Sequence, residues 1–313
     1  MIYGRDFLTL LDFTKEEITY LIELSVKFKN KDIEYSKLSD IRGKTAALFF
    51  EKPSTRTRLS LEVACHQLGL SPIYIVATTT QIARGEPIED FARVVDRYVD
   101  LIAARVYSHK TLELMSEYSK APVINALSDL YHPLQALADF MTIYEKFGRL
   151  RNLAICFIGD VGNNVARSLA VGAVKLGLEI RLAGPKEYWP DSEFISRIKS
   201  IASESGGSVH ITDKPVEGIR GVNVIYTDVW VSMGQEKERE ERIRVFKPYQ
   251  VNDDIVKHAD SNYIFMHCLP RHRGEEVTDD VFESDHSVVF DQAENRLHSA
   301  KAVLASILSK ERI

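Results

Sequence analysis

Two patterns of apolar and polar positions follow one another along almost the whole chain: short strand-like runs and longer helix-like segments. The strand-like runs of the first half lie at about 45–50, 72–77, 101–106 and 122–126. Those of the second half lie at about 153–158, 178–183, 208–211, 222–227, 263–267 and 287–290. Alternation of this kind is typical of parallel sheets with crossover helices. The pattern therefore predicts an α/β protein with two domains, each a parallel β-sheet flanked by helices.

Two long helix-like segments stand at the ends of the second half. One begins at His132-Pro133 and runs to Phe147, with its apolar residues on a single stripe, and the other covers 293–308. We expect these to be interdomain helices that join the two sheets. The domains would then span 1–148 and 149–293, and segment 294–313 would pack back onto the first domain.

Composition narrows the classes of function. The 313 residues carry a net charge of -5 with both signs mixed, which argues against a nucleic-acid surface. Hydrophobic residues at 45% and charged residues at 27% are globular values, which argues against disorder and against a membrane protein. The N-terminus lacks a basic region followed by an apolar core, so we expect a cytoplasmic protein.

Three cysteines are spread over the chain, a number and spacing that fit neither a disulfide framework nor paired zinc ligands. Cys65 and Cys156 fall on an apolar helix face and inside a strand, so we expect both to be buried for packing. Cys268 differs because it follows His267 at the end of a predicted strand. A zinc site of His267, Cys268 and His272 is the weaker alternative, since no second ligand pair of suitable spacing is present.

The segment Ser54-Thr55-Arg56-Thr57-Arg58 lies between a strand-like run and a helix-like one that ends before Gly69. Guanidinium groups, hydroxyls and the N–H groups of a helix's first turn all bind dianions, and we expect both arginines to converge there. The segment therefore predicts a phosphate site. The alternative interpretation of the same segment is an N-capped helix whose arginines are solvated and bind no ligand.

Other polar residues follow the predicted strands, where open parallel sheets bind their ligands. Arg105 ends the third strand, and His132 and Gln135 lie three apart at a helix start, hence on one face. An imidazole and a carboxamide could both donate to a carbonyl oxygen that gains charge in a transition state. Taken alone, His132 is more often a helix-capping group, but the pair beside an anion site favours catalysis.

The second half offers polar groups of a different kind. Gly159 to Asn164 lacks the Gly-x-Gly-x-x-Gly spacing of a dinucleotide site, so a dehydrogenase is not expected. Asparagine side chains at a helix start can instead hold a carboxylate. Asp228 and Ser232, four apart after strand 222–227, are suitable partners for an ammonium group. These residues predict an amino-acid site.

Four of these motifs, in their order and spacing, form one set: Ser54-Thr55-Arg56-Thr57-Arg58, His132-Pro133-Leu134-Gln135, Asp228-Val229-Trp230-Val231-Ser232-Met233-Gly234 and His267-Cys268-Leu269-Pro270. The set resembles the signature of the ornithine carbamoyltransferase family over nearly the whole chain. The first two motifs are common to transcarbamoylases and imply only carbamoyl phosphate, whereas the last two imply ornithine. The implied reaction transfers the carbamoyl group to the δ-amine of L-ornithine, giving L-citrulline and phosphate.

The resemblance also implies site residues. Those for carbamoyl phosphate would be Ser54, Thr55, Arg56, Thr57, Gln81, Arg105, His132, Gln135, Cys268, Leu269 and Arg296. Those for ornithine would be Asn164, Asp228, Ser232 and Met233. The catalytic residues among them would be Arg105, His132, Gln135, Asp228 and Cys268.

The family pattern implies no metal and no organic cofactor, and its partners are two small-molecule substrates, with no nucleic acid and no membrane. Gln81 matches the family's glutamine that reaches into the neighbouring subunit's active site, which implies a homotrimer or a multiple of trimers. Arg271 departs from the family pattern, which usually has a small residue there, and Ala83 stands where glycine is common. These departures bear on the shape of the ornithine pocket and on the flexibility of the intersubunit loop.

Two alternatives remain. The first is a transcarbamoylase that acts on a different amine. The second is a catalytically silent, anion-binding regulatory subunit, against which the intact polar set argues.

Overall fold

The computed structural model describes residues 2–231, 236–311 and 313. Its strands are β1 (Thr45–Phe50), β2 (Ser71–Val76), β3 (Leu101–Arg105), β4 (Val123–Leu127), β5 (Ala154–Ile158), β6 (Glu179–Ala183), β7 (Ser208–Thr212), β8 (Val224–Thr227) and β9 (Ile264–His267). Its α-helices are α1 (Lys15–Asn30), α2 (Thr55–Leu68), α3 (Ile88–Val95), α4 (His109–Tyr118), α5 (Pro133–Phe147), α6 (Asn164–Leu176), α7 (Ser192–Ser205), α8 (Pro215–Ile219), α9 (Arg239–Phe246), α10 (Asp253–Val256), α11 (Asp279–Phe282) and α12 (Val289–Leu308).

The chain forms two compact units. One consists of Met1–Met141 and Glu294–Ile313, and the other of Thr142–Ala293. Both boundaries fall inside helices, the first within α5 and the second within α12. The α/β class predicted from the sequence is confirmed: each unit contains a parallel sheet with helices on its crossovers.

The first unit's sheet has the strand order β2-β1-β3-β4, with all pairs parallel. The chain leaves β1 for β2 on one side and returns to β3 on the other, so the strand order reverses between β1 and β3. Phe50, which ends β1, lies opposite Arg105, which ends β3. Because open α/β sheets bind ligands where the order reverses, the segments after Phe50 and Arg105 are well placed for one.

The second unit's sheet has the order β7-β6-β5-β8-β9, again parallel throughout. Here the order reverses between β5 and β8. The segments that follow these two strands carry Gly159 to Asn164 and Asp228. Two backbone segments approach each other closely at this edge of the sheet. A Cβ added to Gly184 would lie 2.4 Å from the Gly159 carbonyl oxygen, so the position requires glycine.

Helix α2 begins and ends as its sequence predicts. The Ser54 hydroxyl accepts a hydrogen bond from the Thr57 N–H at 3.4 Å, which caps the first turn. Gly69 ends the helix with φ of 80°, a left-handed conformation that glycine adopts at little cost. Besides Thr57 in the first turn, four residues of α2 are buried and pack the helix against the first unit: Leu61, Ala64, Cys65 and Leu68.

Apolar side chains fill each unit separately. In the first unit, Phe49 and Ile102 belong to a buried cluster built on β1 and β3. In the second, Trp230, Phe246 and Phe265 are fully buried in a cluster of their own. Cys65 and Cys156 are both buried, as expected.

The strand predicted at 287–290 is wrong. His286 and Val288 exchange backbone hydrogen bonds with Phe265 of β9 at 2.8 and 3.0 Å, but the chain then enters α12 at Val289. Phe290 is 65% exposed, unlike a residue in a buried strand. A run of three apolar residues, Val288 to Phe290, has no periodicity that distinguishes a strand from the first turn of a helix, and here the chain forms the helix.

Within the described residues, no helix is long and apolar enough to cross a membrane.

Candidate active site

Thr57 is the centre of a buried polar network in the first unit. Its side chain is 1% exposed, and Oγ1 accepts hydrogen bonds from Arg296 Nη2 at 2.9 Å and from Arg105 Nη1 at 3.4 Å. Arg105 and Arg296 are themselves 6% and 5% exposed. Two buried guanidinium groups at the first turn of a helix form a strongly positive site, suited to a small dianion. With Thr57 Oγ1 accepting both, its own O–H can donate to such a ligand.

The other residues of the phosphate motif are less buried than Thr57. Ser54 caps α2, Thr55 is exposed and Arg56 is half-buried. Arg58 is engaged elsewhere: its Nε donates to Glu62 at 3.0 Å, and its guanidinium carbon lies 3.8 Å from the centre of the Tyr74 ring. The expectation that both motif arginines converge on the anion is therefore wrong for Arg58, because its neighbours on α2 and β2 already satisfy its charge.

His132 and Gln135, at the start of α5, are buried at 4% and 1% exposure. Burial, followed by the positive charges of Arg296, Arg105 and Lys52, holds the pKa of His132 well below its usual value. The imidazole is therefore neutral near pH 7 and can donate a hydrogen bond from one ring nitrogen without adding a charge.

Gln135 connects the helix to the arginines. Its Oε1 accepts from Arg296 Nη1 at 2.7 Å, and its Nε2 donates to Asp139 Oδ1 at 2.8 Å. The structure thus brings Thr57, Arg105, Gln135 and Arg296 into one network, with the His132 imidazole within range of both arginine charges.

Lys52 is a residue that sequence reasoning missed. Burial and then the charge of Arg105 lower its pKa. Its Nζ lies 4.7 Å from the centre of the Tyr107 ring. A lysine directly before a Pro-Ser dipeptide was a signal, but nothing in the spacing distinguished it from a solvated charge.

Gln81 lies in a short 3-10 helix, Gln81–Arg84, and is exposed. Among the described residues, no hydrogen bond joins it to Thr57, Arg105 or Arg296. Ala83 is exposed in the same turn. The position of Gln81 on the surface of its own unit leaves it available to another molecule.

Asp228 is the centre of a second polar group, in the second unit. It follows β8 and is 8% exposed, and its Oδ1 accepts from Cys268 Sγ at 3.0 Å. Its Oδ2 accepts from Asn163 Nδ2 at 3.4 Å. Burial raises the pKa of Asp228, although the nearby His267 and the Cys268 hydrogen bond oppose that rise.

The sequence predicts Asn164 at this site. In the structure, the hydrogen bond to Asp228 comes from Asn163. Asn163 caps α6 by accepting from the Ala166 N–H at 2.8 Å, and its amide nitrogen is left to reach Asp228. Asn164 is the first residue of α6, and its carbonyl accepts from Ser168. Both asparagines are half-buried.

The loop after β9 is held by a buried pair. His267 and Glu276 are both 0% exposed, and His267 Nε2 lies 3.1 Å from Glu276 Oε1. His267 Nδ1 accepts from the Leu269 N–H at 2.9 Å, so the proton of a neutral ring resides on Nε2 and is donated to Glu276. Leu269 has φ of 60°, an uncommon conformation for leucine that this hydrogen bond supports.

Ser232 and Met233 lie outside the described residues. The residues on either side of them are anchored by Arg242, whose Nε donates to the Trp230 carbonyl at 2.6 Å and whose Nη1 lies 3.5 Å from Glu238. Arg242 also forms a buried ion pair with Asp160.

Arg271 contacts side chains on and directly after α11. It donates to Asp279 at 2.5 Å and to Glu283 at 3.0 Å, and its guanidinium carbon lies 3.6 Å from the centre of the Phe282 ring.

Potential metal ligands form two groups among the described residues, Asp228 with His267 and Cys268, and His272 with Glu275 and Glu276. The zinc site considered from the sequence would need His267, Cys268 and His272 together. In the structure, His267 and Cys268 belong to the first group and His272 to the second. Each group also has protein partners: Cys268 donates to Asp228, and Arg239 pairs with Glu275.

Comparison with known proteins agrees with this arrangement. Residues 5–145 match the family described as aspartate/ornithine carbamoyltransferase, carbamoyl-P binding domain. Residues 151–307 match aspartate/ornithine carbamoyltransferase, Asp/Orn binding domain. The ornithine carbamoyltransferase of Pyrococcus horikoshii is 53% identical over 305 residues, which cover 97% of this chain and 96% of that one.

Solved structures are similar over the same length. The ornithine carbamoyltransferase of Pyrococcus furiosus has a TM-score of 0.94 and 52% identity, covering 99% of both chains. The enzyme of Gloeobacter violaceus has a TM-score of 0.88 and 40% identity, covering 98% of this chain and 100% of that one. The resemblance inferred from the motifs is thereby confirmed, and the chain belongs to the aspartate/ornithine carbamoyltransferase family.

Proposed function

We propose that the chain is an ornithine carbamoyltransferase, which transfers the carbamoyl group of carbamoyl phosphate to the δ-amine of L-ornithine and releases L-citrulline and phosphate. Binding of the phosphate group is supported above all by one observation: two buried guanidinium groups, those of Arg105 and Arg296, donate hydrogen bonds to Thr57 Oγ1. Two guanidinium groups beside the first turn of a helix attract a small dianion. A phosphate group is such a dianion.

The first unit is proposed to bind carbamoyl phosphate. Ser54, Thr55, Arg56 and Thr57 would hold the phosphate with the N–H groups of the first turn of α2. Arg105, His132 and Gln135 would contact the carbamoyl group, and Arg296 would contact both ends. A neutral His132 suits this role, because it can donate to a carbonyl oxygen that becomes negative in the transition state.

The second unit is proposed to bind ornithine. Asp228 would pair with the α-ammonium together with Ser232 and the Met233 backbone, while Asn164, now joined by Asn163, would hold the α-carboxylate. Cys268 and Leu269 would lie near the δ-amine. This division of roles is supported by the Cys268–Asp228–Asn163 group, which places a buried carboxylate between a thiol and an amide.

The reaction needs only these groups. The neutral δ-amine attacks the carbamoyl carbon, the carbonyl oxygen gains charge beside Arg105 and His132, and the bond to the phosphate oxygen breaks. The leaving phosphate gains a negative charge as the bond breaks, takes up the proton that the nitrogen loses, and stays in the positive site. Positioned cations and donors lower the barrier electrostatically because they are in place before the charge develops.

A homotrimer, or a multiple of trimers, is proposed as the working assembly, in the cytoplasm. Large apolar side chains on the surface of the first unit support a subunit contact: Leu59 and Val63 on α2 are 54% and 36% exposed, and Ile73 on the edge strand β2 is 48% exposed. Gln81 follows β2 closely and would reach the neighbouring active site from there. Sedimentation of the purified protein at a trimer mass, or a multiple of it, is the expected result.

Citrulline formation by the purified protein tests the proposed activity. Turnover should require both carbamoyl phosphate and ornithine, and putrescine, which lacks the α-carboxylate, and aspartate should be very poor substrates. A site of buried polar groups rejects ligands that leave those groups unpaired, often by several orders of magnitude. Comparable turnover of putrescine would favour the alternative of a different amine substrate.

A further inference from the structure

Asp139 is a fully buried carboxylate on α5 that the proposed mechanism does not use. It is 0% exposed and lies one helical turn after Gln135. The spacing of four places both side chains on one face of the helix. A buried carboxylate is costly unless it accepts hydrogen bonds, and Gln135 Nε2 donates to Asp139 Oδ1 at 2.8 Å.

This hydrogen bond decides which way the Gln135 amide faces. A carboxamide has a donor end and an acceptor end of nearly equal size, so its neighbours determine its orientation. An ionised Asp139 only accepts and therefore takes the NH2 end. Arg296 only donates, and its Nη1 lies 2.7 Å from Gln135 Oε1. Both neighbours require the same orientation.

The orientation of Gln135 in turn affects the guanidinium. Arg296 donates one nitrogen to Gln135 and the other to Thr57, at 2.9 Å, so its planar end is held at two points. A flipped Gln135 would direct its NH2 group at the guanidinium, donor against donor. All of these groups are buried, and a buried donor without an acceptor is unfavourable.

We propose that Asp139 is a positioning residue for carbamoyl recognition: its carboxylate holds the Gln135 amide with Oε1 toward Arg296, and thereby holds both side chains for the carbamoyl end of the substrate. The inference rests on the proposed function. Asp139 acts through Gln135 and not by contact with the substrate. Because Arg296 keeps its second hydrogen bond, to Thr57, loss of Asp139 affects binding of the carbamoyl group more than binding of the phosphate group.

Asp139→Asn is the first test, because it keeps the size of the side chain and removes its preference for a donor. Asparagine satisfies either orientation of Gln135. Titration calorimetry should show a Kd for carbamoyl phosphate about tenfold higher than in the wild type, equivalent to roughly 1.4 kcal/mol. The Kd for inorganic phosphate should not rise by more than about twofold. Equal weakening of both ligands, or of neither, overturns the proposal.

A double-mutant cycle separates positioning from a general effect on packing. In a Gln135→Ala background, Asp139→Asn should change kcat/KM for carbamoyl phosphate by less than about twofold, because the group it positions is absent. The same tenfold loss in both backgrounds would show that Asp139 acts independently of Gln135.

Asp6→Asn is a matched control. Asp6 also accepts hydrogen bonds in the first unit, from the Val123 N–H at 2.6 Å and from Ser116 at 2.5 Å. Val123 is the first residue of β4, so Asp6 lies at the N-terminal end of that strand, whereas the site lies at the C-terminal ends of β1 and β3. The Asp6→Asn variant should be less stable than the wild type, with the ratio of the two Kd values unchanged.

If Asp139→Asn fails to fold, Asp139→Ser replaces it in both measurements. A wild-type protein that does not bind carbamoyl phosphate refutes the proposed function, whereas an active wild type with an unaffected variant refutes this inference alone.

Discussion

Cys268 donates its thiol hydrogen to Asp228, with 3.0 Å between sulfur and Oδ1. Burial raises the pKa of Asp228, so that its carboxylate form becomes fully populated at a higher pH than that of an exposed aspartate. An ornithine ammonium would bind the carboxylate form. On the proposed function, the protonation of this one group should therefore be coupled to binding of the second substrate.

The coupling predicts a pH dependence. At limiting ornithine, kcat/KM should rise between pH 6 and 9, because the δ-amine, with a reference pKa of about 10.4 like lysine, must be neutral to attack. Loss of a proton from Asp228, whose pKa is raised by burial, would change the rate in the same direction. Cys268→Ala should raise KM for ornithine more than it changes that for carbamoyl phosphate. Cys65→Ala is the control, since burial raises the pKa of the Cys65 thiol to about 12 and keeps it protonated over this range. A rate that falls steadily with pH would contradict the role of the δ-amine.

A second prediction compares two arginines of one motif. Arg56→Ala should weaken carbamoyl phosphate binding by about 1.5–3 kcal/mol, the usual value of a hydrogen bond to a charged group, with little effect on stability. Arg58→Ala should leave the Kd for carbamoyl phosphate nearly unchanged, because Arg58 pairs with Glu62 and Tyr74. Calorimetric Kd values decide between them. Unchanged affinity in Arg56→Ala, or equal losses in both variants, would contradict the assignment.

The third prediction concerns sharing of the active site between subunits. Gln81→Ala and Arg105→Ala proteins should each be nearly inactive. After dissociation, mixing and reassembly, they should regain part of the activity, because some sites then combine an intact Gln81 with an intact Arg105. Each variant dissociated and reassembled alone is the control. Verified mixed trimers without activity would contradict a contribution from the neighbour.

The fourth prediction concerns stability of the second unit. Arg242→Ala should lower the free energy of unfolding by about 3–5 kcal/mol, because it leaves the buried Asp160 without its cation. Arg239→Ala on the same helix removes an ion pair whose arginine is 45% exposed, so its cost should stay below about 1 kcal/mol. Urea denaturation of both variants measures the difference. A similar small cost for both would show that the buried pair contributes little.

Much of this architecture could be predicted from the sequence because strands and helix starts have local signals. The apolar run before Ser54 and the glycine after α2 defined one strand and one helix correctly. Polar residues placed directly after strands pointed to the edge where the sheet order reverses. The fold class followed from these signals and the family from the resemblance of the four motifs to a known signature, and both are confirmed.

What escaped prediction depends on neighbours that are distant along the chain. Nothing in the sequence indicates that Arg58 turns to Tyr74, or that Asn163 and not Asn164 reaches Asp228. Asp139 looks like one more polar position on an amphipathic helix until its burial is known. Each case is decided by side-chain direction in three dimensions, which has no periodic signal.

The span between Thr57 and Arg296, 239 residues, has a consequence for biosynthesis. A ribosome releases the sheet of the first unit long before it reaches α12, yet the second of the two guanidinium groups on Thr57 lies on that helix. A nascent chain can therefore fold its early strands without acquiring the full positive charge of the anion site. Full affinity for the dianion should emerge only when nearly the whole polypeptide has been translated, so incomplete chains would bind it weakly.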